Sequence, residues 1–327
     1  MRRNSSRYRV LGGVLCIALA GALSTFAQEV STGASAGLPQ VLTIPGPPSP
    51  LGAPALALGD LPGSALPAQA RLRPVDILAT TLQALVDQSG AHVAVALREL
   101  DSAEPESWSL NAQDSFEAGS TYKLPALEAE AEELAAGQVR LDDQLCYQDS
   151  DWEDGPFGDY SDGACYSRGD LMNRVGQYSD NTAAHILVDD LGGPQALQDF
   201  ATEYGAVGSD FANSNTTTAA DLAALMEAEA SGVLGGEAAQ KILYPLITNT
   251  IFEAGLPAGV PAGVQVVHKV GLIDASVNDA GLILAPGGRY VVVVLTDGLS
   301  SADAWTLIAA ISSAVWQFED GSPGVRS

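Results

Sequence analysis

Stretches with strand character stand at two distant places in this chain. HVAVALREL and ESWSLN fall between His92 and Asn111, whereas VQVVHKVG, DAGLILAP and RYVVVVLTDG follow only from Val264 onward, the last two separated by a GG turn. From Ser120 to about Leu256 the pattern is helical instead. TYKLPALEAEAEELAAG, RGDLMNRVGQY, NTAAHILVDDLGG and TTTAADLAALMEAEASG each carry a cap, an apolar stripe or a glycine terminator. A strand needs neighbours, so the early and late strands must meet in one sheet while the helical middle forms a second lobe. VDILATTLQALVDQSG before the first strand and ADAWTLIAAISSAVWQF after the last have helical periodicity and should face that sheet. The expected class is α+β with two lobes in one domain over 75–320, followed by a short tail at 321–327.

The residues ahead of this domain read differently. MRRNSSRYR is basic, VLGGVLCIALAGAL is apolar over too short a length to span a bilayer, and STFAQ ends a small-x-small pattern. A signal peptide over 1–27, cleaved after Ala27, is expected. From 28 to 74 the chain is rich in Pro, Ala, Gly, Leu and Ser with few charges, which suits a tether without a core of its own. The product would be exported to the periplasm or the exterior, with no membrane insertion once the signal is removed. Cleavage also removes Cys16 and leaves Cys146 and Cys165, for which a disulfide is the expectation in an oxidising compartment. His92, His185 and His268 are scattered, no Cys/His cluster suggests zinc, and no metal or other cofactor is expected.

Charge excludes some partners. The formal net charge is -25, and loss of Arg2, Arg3, Arg7 and Arg9 with the signal makes it more negative still. Nucleic acid and anionic membranes require clustered Lys and Arg, so neither is an expected partner. CYQDSDWEDGPFGDYSDGAC, between the mature cysteines, holds Asp149, Asp151 and Asp154 before a glycine, but the spacing departs from a calcium loop, and a solvated acidic loop is expected.

Lysine is scarce: Lys123, Lys241 and Lys269 are the only three. A lysine can give up its proton when buried or beside another cation, which arginine cannot, so each retained lysine is a candidate for chemistry. In FEAGSTYKLP, Ser120 stands where a helix starts and Lys123 follows three residues on, within side-chain reach on one face. A serine nucleophile activated by an adjacent lysine is one use of such a pair, and an ordinary serine cap with a solvated lysine is the other. In YSDNTAAH, Ser179, Asp180 and Asn181 lie between two helices and serve either as caps or as side chains projecting between the lobes. In HKVG, Lys269 sits on a strand before Gly271, where a ligand can approach the backbone.

S-x-x-K, then S-D-N, then K-x-G, in that order, is the signature of the penicillin-recognising serine enzymes. From about Val75 to Phe318 this chain resembles the class A β-lactamases and their D,D-peptidase relatives, including the TTT at Thr216–Thr218 before a helix. The resemblance implies an antiparallel sheet flanked by the N- and C-terminal helices, beside an all-helical lobe. It implies a monomeric, secreted, penicillin-binding serine hydrolase of the kind that confers antibiotic resistance. Ser120 would attack a carbonyl, Lys123 would take its proton, and Ser179 would pass a proton to the leaving nitrogen. Asn181 would bind the substrate's side-chain amide and Lys269 its carboxylate, with Gly271 letting the strand approach. The amides of Ser120 and Leu272 would form the oxyanion hole. The partner is a small molecule, a β-lactam or a cell-wall peptide.

Two departures bear on hydrolysis. Between S-D-N and TTT no E-x-x-L-N pattern occurs, and neither Glu203 nor Asp210 has a warrant as the base for deacylation. Val270 replaces the hydroxyl residue usual between the lysine and glycine. Trp152, Phe157 or Tyr160 would supply a substrate wall, His268 would fill space on its strand, and His185 would be a helix-face residue. The alternatives are a D,D-peptidase or other amide or ester hydrolase on the same chemistry, and a catalytically silent envelope binding protein on the same scaffold.

Overall fold

A computed structural model describes residues 74–102 and 105–320. The expected signal, the tether up to residue 73 and the tail at 321–327 lie outside the described residues. The first helix, α1 (Pro74–Ser89), begins at the last residue assigned to the tether and buries Leu78, Leu82 and Val86 at four-residue spacing.

β1 (His92–Glu99) and β2 (Ser107–Leu110) pair antiparallel. β3 (Phe116–Glu117) leads through a 3-10 turn at Gly119–Tyr122 into α2 (Lys123–Ala135). The helical stretch continues with β4 (Gln144–Cys146), β5 (Cys165–Ser167), α3 (Arg168–Tyr178), α4 (Asn181–Asp190) and α5 (Pro194–Glu203). β6 (Thr216–Thr217), α6 (Ala219–Ala230) and α7 (Gly236–Leu243) complete it. Three of these helices start on side-chain caps: Ser167, Asp180 and Thr218 accept from the amides of Asp170, Ala183 and Asp221. β7 (Gln265–Ile273), β8 (Ser276–Ala285), β9 (Gly288–Asp297) and α8 (Ser301–Asp320) follow. The β8–β9 connection turns at Pro286 and Gly287, with Ala285 opposite Gly288.

The main sheet has the order β2-β1-β9-β8-β7, all antiparallel, so its first-made strands pair with its last. β9 reads YVVVVL because both faces are covered. Tyr290, Val292 and Val294 face α1 and α8, while Val291, Val293 and Leu295 join the core of the helical lobe. β7 is the edge strand, and the 3-10 turn carrying Ser120 lies against it. Among the described residues no helix is long and apolar enough to cross a membrane.

Candidate active site

The Ser120 turn reaches β7 because two glycines remove the side chains that would keep them apart. Gly119 has φ +53, and a Cβ placed there would lie 2.8 Å from the backbone nitrogen of Leu272. A Cβ on Gly271 would collide with the Ala118 carbonyl oxygen and with Thr121. Asn278 on β8 donates from Nδ2 to the Glu117 carbonyl, 2.8 Å away, and ties the turn to the sheet a second time.

Ser120 is not a helix cap. It lies inside the 3-10 turn, and α2 starts at Lys123, which places the lysine under the serine rather than out in solvent. Lys123 is fully buried, with Nζ 3.0 Å from Ser120 Oγ, 2.7 Å from the Ser179 carbonyl and 2.5 Å from Asn181 Oδ1. Burial pulls its pKa down to about 7, against the opposing fields of Glu153 and Asp180. A buried amine with that pKa holds a lone pair near neutral pH.

Ser179 ends α3 in the left-handed conformation, φ +58, which is costly for a residue with a side chain. That turn directs both its carbonyl and its hydroxyl at the lysines. Ser179 Oγ lies 3.5 Å from Lys123 Nζ and 2.9 Å from Lys269 Nζ. Lys269 is buried and also donates to the Val270 carbonyl at 3.0 Å. Burial, and then the neighbouring Lys123, hold its pKa well below the ordinary lysine value. Val270 itself is buried at 2% exposure. Asp180 is buried in its capping role and accepts from Tyr160 Oη at 2.6 Å.

A cavity of about 360 Å³ opens over Ser120, and Asn181 and Leu272 line it. Leu272 and Ile273, both partly exposed, give it an apolar rim. Phe157 and Tyr160 do not form a wall to this cavity. Both rings pack on Arg174, with Phe157 also edge-on to Tyr178, and Trp152 is 63% exposed. Arg174 in turn grips Asp159 with two bonds of 2.6 and 2.9 Å, so the acidic loop is docked at this point rather than merely solvated. Cys146 and Cys165 form the expected disulfide, directly opposite each other on β4 and β5.

Glu203 is exposed near the end of α5, and Asp210 is bound by the amides and side chains of Asn213 and Ser214. The cavity lining includes Tyr122, Glu153, Phe211 and Asn215, none of them singled out in the sequence, and also His185, which is therefore more than an ordinary helix-face residue. Asn215 directly precedes the TTT run, and its carbonyl accepts from the Ala118 amide. His268, read as space-filling, is a buried ion-pair member with Nδ1 2.8 Å from Asp279 Oδ1.

Comparison with known proteins bears on the family and the fold. The model of the beta-lactamase enzyme family matches residues 77–318. A beta-lactamase of Rhodobacter capsulatus is 28% identical over 263 residues, covering 75% of this chain and 84% of that protein. The structure of PBP-A aligns with a TM-score of 0.71 at 27% identity, over 76% of this chain and 98% of PBP-A. A mutant of PBP-A, solved as an acyl-enzyme complex with penicillin G, aligns at 0.70 and 26% identity, over 76% of this chain and 97% of its own.

Proposed function

This chain belongs to the β-lactamase enzyme family, and from that premise we propose that it is an exported serine hydrolase that opens a β-lactam, or a related cell-wall amide, through an acyl-enzyme on Ser120. The observation that carries the reading is the 3.0 Å contact between Ser120 Oγ and a buried Lys123 whose amine loses its proton near neutral pH. Neutral Lys123 accepts the hydroxyl proton as Oγ attacks the carbonyl. The amides of Ser120 and Leu272 receive the oxyanion, and Ser179 relays a proton to the leaving nitrogen, supplied through the lysine on either side of it. Asn181 holds the substrate amide, Lys269 donates a hydrogen bond to the carboxylate, and Gly271 lets the ring lie against β7. The domain at 75–320 carries the activity behind an export signal at 1–27 and a tether at 28–74, and its substrate is a small molecule met in the periplasm or outside the cell.

Glu203 and Asp210 do not line the cavity, so neither supplies a base for deacylation; the peptidase-like alternative is the reading in which penicillin is trapped rather than turned over. The penicillin G acyl-enzyme of the PBP-A mutant is a precedent for such an adduct. Intact mass spectrometry after mixing with benzylpenicillin tests the common step. The wild-type protein should gain one penicillin, or hydrolyse it, and Ser120→Ala should do neither. A folded wild-type protein that neither gains mass nor consumes penicillin would overturn the assignment.

A further inference from the structure

Resting on the Ser120 reading, we infer that Glu153 and His185 are the proton-accepting pair that activates water to hydrolyse the Ser120 ester. Both side chains line the cavity that contains Ser120, whereas Glu203 and Asp210 do not. His185 stands four residues after Asn181 on α4, so it lies on the same helix face, one turn along.

The pair is held in a defined orientation. Glu153 is clamped at its backbone, its amide donating to Thr182 Oγ1 at 3.1 Å and its carbonyl accepting from the same hydroxyl at 2.9 Å. His185 Nδ1 lies 3.0 Å from the Asp151 carbonyl, an oxygen that only accepts, so Nδ1 carries a proton in either charge state. The other ring nitrogen, Nε2, lies 3.2 Å from Glu153 Oε2. When His185 is neutral, Nε2 and the carboxylate are two acceptors side by side. Only a proton, or a donor such as water, satisfies both. The side chains are 37% and 53% exposed, which gives that water a supply from solvent.

The step balances without another reactant. Water attacks the acyl carbonyl, its proton passes to His185 Nε2, and the Glu153 carboxylate stabilises the imidazolium. The tetrahedral intermediate then breaks its bond to Ser120 Oγ, which recovers the proton from the imidazolium, and the acid leaves. The charged and titratable groups around the pair are Asp151 and Asp189 on the α4 side, and Tyr122, Lys123 and Asp180 toward Ser120.

Single-turnover acylation with limiting benzylpenicillin, followed by intact mass during both formation and decay of the adduct, separates this inference from the reading beneath it. His185→Ala and Glu153→Gln should still form the adduct, but His185→Ala should slow its decay about 100-fold. Added imidazole should partly restore decay in His185→Ala. His185→Asn, with a melting curve for each variant, guards against misfolding. A wild-type adduct that does not decay, or adducts that decay at the wild-type rate in both His185 variants, would overturn the inference and leave Ser120 acylation standing. A folded wild-type protein that never acylates or turns over would overturn both.

Discussion

Lys123 and Lys269 share one oxygen: the Ser179 hydroxyl stands 3.5 Å from one Nζ and 2.9 Å from the other. Two ammonium groups so placed and so buried would repel strongly, and at least one proton is surrendered. Lys123 acts as a base only in its neutral form, so acylation should depend on pH. Its rate on benzylpenicillin, by stopped-flow or quenched mass spectrometry, should rise with pH to a plateau, half-maximal near pH 7, where Lys123 titrates. Lys123→Arg, which keeps the charge but cannot lose it, should lower the rate by about 100-fold or more. A flat profile from pH 5 to 9 would exclude Lys123 as the base.

Gly271 makes a second test. Alanine there would collide with the Ala118 carbonyl oxygen and Thr121. Gly271→Ala should push the Ser120 turn off β7, destabilise the protein by about 1–3 kcal/mol in urea unfolding, and reduce acylation about tenfold or more. An equivalent variant at exposed Gly158, where an added Cβ meets nothing, should be neutral.

His268 predicts how stability varies with pH. Burial alone would depress its pKa, but the Asp279 and Glu253 carboxylates outweigh that and raise it to about 9, from an ordinary 6.5. The folded state thus holds a proton that the unfolded chain releases above 6.5. The resulting stabilisation is complete below pH 6.5 and is lost as pH rises through 9. The melting temperature of His268→Gln should lie well below that of the wild type at pH 6 and approach it at pH 10.

Glu128 predicts a slope of the same sign over a lower range. It is fully buried on α2 with neither oxygen hydrogen-bonded, and burial, then the nearby Glu229, hold its carboxyl neutral well above the ordinary glutamate range. Above about pH 4.5 the unfolded chain ionises and the folded one does not, so stability falls by about 1.4 kcal/mol per pH unit. Glu128→Gln removes that slope. In denaturant titrations it should match the wild type near pH 4 and exceed it at pH 7.

The five polar side chains at the centre, Ser120, Lys123, Ser179, Asn181 and Lys269, were legible in the sequence because each belongs to a short motif with local geometry. The two-lobe plan was legible because helical and strand periodicities are separated along the chain. What was not legible depends on contacts between segments. Glu153 lies in a loop with no repeat, and His185 has the spacing of any helix residue until Thr182 and Asp151 position it against that loop. The partner that makes His268 an ion pair is on the adjacent strand, eleven residues away. Likewise, nothing in FEAGSTYKLP marks a 3-10 turn in place of a helix start; the proximity of Leu272 to Gly119 imposes it.

The strand order has a consequence for the life of the chain. β1 finds its main partner in β9, and the Ser120 turn finds its support in β7, so nearly everything needed to hold the nucleophile is translated after it. A nascent or truncated polypeptide ending before β7 contains Ser120, Lys123 and Ser179 but lacks the strand against which the Ser120 turn is held. The nucleophile is thus made early and its backing late, and the turn can be fixed in place only once the closing strands have been synthesised.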